Sequence, residues 1–179
     1  MTDVLVLETA RVPFVLRPEQ PADSDFLYTL FRRHTPVELA TLPIDAATRE
    51  ALVGMQFNSQ TATYRAQYPA ARFDIVERDG TPIGRLVVDD GAAAAYIVDF
   101  ALLPEHCGGG LGTAILAGML ARLAGWGRPV HCQVLCTNEP SLRMCRRIGF
   151  VHIGGELPFL QLEWRPSAGG AAAASGSTG

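Results

Sequence analysis

Four glycines within five residues, Gly108, Gly109, Gly110 and Gly112, interrupt an apolar stretch of this chain in the run PEHCGGGLGTAILAGML. Lacking a Cβ, such residues let the backbone take unusual φ values and bring its N–H groups close to an anion at the start of a helix. A phosphate-bearing ligand suits this pattern, and a glycine turn kept for packing is the alternative. The Lys-Ser/Thr pair of a P-loop is missing, the glycines do not fall as G-x-G-x-x-G, and no acidic residue is placed to hold a ribose. Just ahead of the loop, Asp99 puts a charge inside the otherwise apolar run YIVDFALL. The four cysteines, Cys107, Cys132, Cys136 and Cys145, have no His or Cys partner at zinc-finger spacing. Reduced, mostly buried thiols and no metal are therefore expected.

The elements that must position these residues can be read in order. An apolar strand from Phe14 leads through a turn with two prolines to Asp23 or Ser24, either of which would cap a helix over LYTLFRRH. From Pro36 to Pro69 the chain carries Leu52, Met55 and Tyr64 at helical spacing, which predicts a long helix or a broken pair. Tyr64 and Tyr68 read as packed aromatics or as part of a pocket. RFDIVERDGTPIGRLVVDDG alternates on either side of an Asp-Gly turn and predicts a β-hairpin with Phe73, Ile75 and Glu77 on one face.

The strand AAAAYIVDFALLP follows. Strict alternation puts Tyr96, Val98, Phe100 and Leu102 on one face and Ile97, Asp99, Ala101 and Leu103 on the other. Beyond the glycines a helix presents Leu111, Ile115, Leu116, Met119, Leu120 and Leu123 on one face and stops at Gly125 and Gly127. A strand over PVHCQVLC, a helix started by Asn138 and Glu139-Pro140-Ser141, and two closing strands complete the order. The result is an α+β or mixed α/β three-layer domain.

With 179 residues, 48% of them hydrophobic, the chain suits one domain with a sizeable core. Fifteen basic residues against eighteen acidic ones give a formal charge of −3, and no basic run points to nucleic acid. The start, MTDVLVLETARVP, fits neither a signal peptide nor a membrane span, so a cytoplasmic protein without a membrane partner is expected. Residues 14–165 form the predicted domain, 1–13 an N-terminal extension, and 166–179 a low-complexity disordered tail.

The run PEHCGGGLGTAILAGML, followed a strand and a turn later by NEPSLRMCRRIGF, resembles the GCN5-related N-acetyltransferase (GNAT) family, whose signature has the form Q/R-x-x-G-x-G/A after a strand, then an Asn and a Gly-Phe. Gly110, Gly112, Asn138, Gly149 and Phe150 fall in register with it, and the likeness covers roughly Phe14 to Trp164. The resemblance implies a central, mostly antiparallel sheet with helices on both faces, and acetyl transfer from acetyl-coenzyme A to an amine of a small molecule or protein. It implies that the amides of Gly108 to Thr113 cradle the pyrophosphate. Backbone groups of Phe100, Ala101 and Leu102 would hold the pantetheine arm where this strand splays from PVHCQVLC, and one N–H would stabilise the oxyanion. Asn138 would bond the arm or only cap its helix.

The chain departs from the pattern twice. Cys107 stands where the family usually places Gln or Arg. Cys145 stands where many members carry the tyrosine that protonates the leaving thiolate, so it reads as a substitute acid or as a packing residue, with Tyr96 or water as the other source of that proton. Asp99 is the base the resemblance suggests, ahead of Glu38, Asp74 and Glu77, with a structural ion pair as its other reading. His34, His106, His131 and His152 are scattered. A second reading is an acyl-coenzyme A binder without transfer, and a third, resting on the loop alone, is a nucleotide-binding module. No motif names the acceptor, and a homodimer is compatible with the resemblance.

Overall fold

The computed structural model describes residues 4–7, 13–35, 39 and 41–166. Glu38, much of the N-terminal extension and all but the first residue of the tail lie outside them. Eight strands form one sheet in the order β1-β2-β3-β4-β5-β6-β8-β7: β1 (Leu5–Leu7), β2 (Phe14–Pro18), β3 (Arg72–Arg78), β4 (Thr81–Asp90), β5 (Ala95–Leu102), β6 (Val130–Leu135), β7 (Val151–Gly154) and β8 (Phe159–Trp164). Every neighbouring pair is antiparallel except β5 with β6. The helices are α1 (Ser24–Arg33), α2 (Ala46–Gln67), α3 (Leu111–Ala124) and α4 (Glu139–Arg147). Within the stretch read as an extension, Leu5–Leu7 thus adds an edge strand on β2.

Local chemistry explains most boundaries. The β3–β4 hairpin turns at Asp79 and Gly80, both with positive φ, as the tight two-residue turn between right-twisted strands requires. Asp45 caps α2 by accepting a hydrogen bond from Thr48 N at 2.9 Å. At α1, Asp23 occupies the cap position, but its carboxylate takes Arg17 Nη1 and Nη2, each at 2.7 Å, and Gln20 N at 2.8 Å. Those bonds hold its carboxyl below the usual range, the Arg17 bond first. The long helix predicted between Pro36 and Pro69 is α2. Its one buried residue is Val53, and Met55, assigned to the apolar face by spacing, is 67% exposed.

One core lies between the sheet and α3 with α4. Ile115, Leu116, Met119, Leu120 and Leu123 of α3 are buried against Phe14, Leu16, Val76, Leu86, Val88 and Ile97, and Leu111 packs at the edge. Each such side chain is worth roughly 1.5–3 kcal/mol of apolar transfer. On the opposite face lie α1 and α2.

The alternation expected along β5 is broken. Val87 pairs with Asp99 while Val88 pairs with Ile97, so Val98 is an extra residue, a β-bulge. Downstream of it the faces exchange: Ile97, Phe100 and Leu102 all pack on the core side, whereas the prediction put Ile97 opposite the other two. Asp99 and Ala101 face α1 and α2 together with Arg85, which pairs with Ala101 across the ladder.

Gly84 of β4 lets β5 lie this close. A Cβ built there would sit 2.3 Å from Ala101 O and 2.5 Å from Leu102 Cδ2. Gly84→Ala should lose about 3 kcal/mol by overpacking in urea denaturation. Gly54→Ala, where a Cβ meets nothing within 4 Å, should gain stability by about 0.5–1 kcal/mol in helix α2. Equal stability of Gly84→Ala and the parent would refute this β4–β5 register.

Candidate active site

The bulge at Val98 has a consequence for the neighbouring strand. β5 pairs with β6 only through Ala95–Val130, Tyr96–His131 and Ile97–Cys132, although β5 continues to Leu102 and β6 to Leu135. Past Ile97 the two strands splay, as the resemblance implied. A strand edge with unpaired N–H and C=O groups is a template for an extended ligand.

At the open end of β5 the chain makes a 3₁₀ turn over Pro104–His106, passes Cys107, and enters α3 from Gly110. Gly108 and Gly110 have φ of 83° and 81°, which a side chain rarely adopts. A Cβ at Gly108 or Gly109 would meet nothing within 4 Å, so this part of the loop faces open space. Gly112 serves packing instead: a Cβ there would lie 3.3 Å from Met144 Sδ and 3.5 Å from Phe100 Cε1. Gly110 offers no side-chain cap, which leaves the first-turn amides, Thr113 among them, at the positive end of the helix dipole. Cys107 is exposed, with its Sγ 3.5 Å from Leu103 O and 3.7 Å from Leu102 O. Burial of the thiol, then Glu105, pushes its pKa up.

On the α1/α2 face a cavity of ≈ 310 Å³ opens over the bulged part of β5. Leu27, Leu30, Phe31 and Phe57 form its apolar wall, and Arg85, Asp99, Ala101 and His34 lie on its sheet side. Arg85 Nε donates to Asp99 Oδ2 at 2.9 Å; the arginine side chain is 6% exposed and the aspartate 23%. The Tyr64 ring lies 5.6 Å from the Arg85 Cζ, and burial, then Asp99, pushes its hydroxyl up to about 12. His34 Nε2 donates to Leu102 O at 2.7 Å and so ties the end of α1 to the end of β5.

The remaining candidates divide clearly. Asn138 Oδ1 accepts from Ser141 N at 3.2 Å, so its side chain caps α4. Cys145 is buried in the core beside Cys132, which stands on the last rung that β6 shares with β5. The neighbouring Cys145 thiol, then burial, pushes Cys132 up. Tyr96 stacks on Tyr68 at 5.9 Å, and burial, then Tyr68, raises its hydroxyl to about 12. Glu77 is spent on Arg17, Asp74 on Arg72, and His131 on Glu163, all away from the cavity lining. His152 bonds Gly154 O, and His106 lies in the 3₁₀ turn.

Sequence reasoning missed Arg85 and His34. For Arg85 a signal existed: IGRLVV carries one charge in an apolar strand, as YIVDFALL does, and two such charges on adjacent strands invite a pair. His34 carried none.

A mixed sheet opened between two parallel central strands, with a glycine loop at one side of the opening and a cavity at the other, defines a ligand-binding α/β class. The sequence profile of the acetyltransferase (GNAT) family matches residues 28–150, more than half of the chain, and the protein belongs to that family. Among curated proteins, the candidate acetyltransferase FG08082 of Gibberella zeae is 28% identical over 104 residues, 56% of this chain. The matched part spans only 58% of that relative's length. Among solved structures, the PaiA N-acetyltransferase of Thermoplasma acidophilum in complex with coenzyme A superposes with a TM-score of 0.65 at 16% identity, over 85% of this chain and 98% of that one. RimJ of Mycobacterium smegmatis, in complex with CoA-disulfide, gives 0.62 at 20% identity over 90% and 86%. These likenesses establish the fold.

Thiol labelling checks the placement of the cysteines. In the native protein Cys107 and Cys136 should take an alkylating reagent, whereas Cys132 and Cys145 should react only after guanidinium denaturation. Labelling of Cys145 as fast as Cys107 would contradict its place in the core.

Proposed function

We propose that this protein transfers an acetyl group from acetyl-coenzyme A to an amine by direct attack of the amine on the thioester. The observation that carries this reading is the splay beyond Ile97, flanked by the glycine loop on one side and the Arg85–Asp99 cavity on the other. The residues fit the co-substrate. Gly108 and Gly109 leave room for a bulky anion against the backbone, and the amides of Gly108 to Thr113 would hold its pyrophosphate. The edge of β5 that β6 leaves unpaired, at Phe100, Ala101 and Leu102, would hold the pantetheine arm as an added strand, one N–H serving the oxyanion. Bound there, acetyl-coenzyme A supplies an activated acyl group with a thiolate leaving group.

Asp99 would accept the ammonium proton, directly or through water. Arg85 keeps the carboxylate oriented through Oδ2 and leaves Oδ1 to face the amine. As the N–C bond forms and the C–S bond breaks, the departing sulfur needs a proton. The resemblance puts Cys145 where many members carry the tyrosine that gives it, as a substitute acid or as a packing residue. Its burial in the core beside Cys132 favours a packing role, with solvent as the donor. An ordinary thiol has a pKa of about 8.5, so the thiolate is a tolerable leaving group without an acid. Asn138 enters as the cap that places α4 at the mouth of the splay.

Two measurements test this. Calorimetry should give saturable acetyl-coenzyme A binding, and free coenzyme A should be released when amines are added; no binding at all would overturn the reading. Asp99→Asn should lower kcat by about 10²-fold or more, the range typical of a lost general base, without loss of fold. Unchanged turnover would remove Asp99 from the mechanism. Cys145→Ala should keep kcat within about 10-fold of the parent, and a loss of about 10²–10⁴-fold would restore the thiol as the acid.

A further inference from the structure

Arg85, one of the residues that line the cavity beside Asp99, carries a donor that the fold leaves unmatched. Arg85 is 5% exposed, its Nε is bonded to Asp99, and its Nη2 is buried among the described residues with no hydrogen-bond partner. Thr35 Oγ1, on the same cavity wall, is likewise buried and unpartnered. Leaving a buried donor unmatched is costly, more so when it is charged, and a ligand that completes it offsets that cost. A guanidinium N–H binds an anionic oxygen more strongly than a neutral one.

The cavity therefore presents an ordered set of features. A carboxylate, Asp99, stands beside an incompletely bonded guanidinium, Arg85, and both lie opposite an apolar wall of Leu27, Leu30, Phe31 and Phe57. An acceptor that matches it has an amine for Asp99, an oxyanion one or two bonds away for Arg85, and an apolar body for the wall. At ≈ 310 Å³ the space lies at the small end of ligand pockets.

We infer that the acceptor is a free α-amino acid with an apolar side chain, its amine held at Asp99, its carboxylate on the Arg85 guanidinium and its side chain against α1 and α2. This deepens, and rests on, the acetyl-transfer reading. The ammonium nitrogen gives one proton to Asp99 and forms the new N–C bond; as the C–S bond breaks, the nitrogen sheds its second proton to solvent, the thiolate takes a proton from solvent, and Asp99 returns its own to solvent. The product is an N-acetylated amino acid and free coenzyme A.

The test is a comparison of kcat/KM for coenzyme A release with L-phenylalanine, L-alanine, L-phenylalanine amide and 2-phenylethylamine, together with calorimetry of acetyl-coenzyme A alone. The parent should prefer phenylalanine to 2-phenylethylamine and to the amide by 100-fold or more, and phenylalanine to alanine by 10-fold or more. Arg85→Gln should bring the first ratio to within a few-fold of one. Should that variant fail to fold, Phe57→Ala remains, and it should cut the preference for phenylalanine over alanine by about 10-fold. If acetyl-coenzyme A binds and 2-phenylethylamine or the amide serves as well as phenylalanine, the inference fails and acetyl transfer to another amine stands. Better turnover of the amide, or of a peptide beginning with phenylalanine, would assign the site to chain N-termini and overturn the free carboxylate. If acetyl-coenzyme A does not bind, the acetyl-transfer reading itself fails.

Discussion

A β-strand can satisfy its backbone on both sides only while it stays in register with both neighbours. In this protein β5 loses one of the two at Val98. The extra residue bends the strand, its ladder with β4 resumes one residue later, and its ladder with β6 ends at Ile97. Everything that gives the molecule a site follows from that single irregularity. The unpaired stretch runs up to the turn that feeds the glycine loop, and the loop lies at the open end of the gap because β5 has led the chain there.

The same bulge decides which side chains meet. Had β5 kept strict alternation, Asp99 would share a face with Ile97 and the core below α3. Displaced by one residue, it faces α1 and α2 and lies within hydrogen-bond reach of Arg85, which the β4 register puts beside it. Arg85 is the buried member, and the carboxylate beside it offsets the cost of burying its charge. The pair thus stabilises the fold as well as forming the polar centre of the cavity. On the other face, Phe100 and Leu102 turn inward to Gly112 and Met144, so the same strand that carries the cavity also seats α3 and α4. Cys132, on the last rung that β6 shares with β5, and Cys145 of α4 are both buried in that core.

The glycine run illustrates how one local pattern hides two physical causes. Gly108 and Gly110 are required by positive φ, and Gly112 by the closeness of Met144 and Phe100. In the sequence all of them look alike, because the spacing reports only that side chains are absent. Only the packing partners distinguish a conformational glycine from a steric one.

What the sequence determined by itself was local in origin: the hairpin at Asp79-Gly80, the apolar stripe of α3, the glycine entry to that helix, the Asn138 cap, and the order of elements that, with the paired motifs, points to the GNAT family. Propensity, capping and periodicity act over a few residues and can be read there. The tertiary structure alone decided the bulge, hence the face of Asp99; the pairing of Arg85 with Asp99 and of His34 with Leu102, 14 and 68 residues apart; and the contact of Cys145 with Cys132. Those depend on the register between strands and on which helix covers which face. Such long-range geometry leaves no periodic trace in the chain, because a shift of one residue exchanges the two faces without changing a single amino acid.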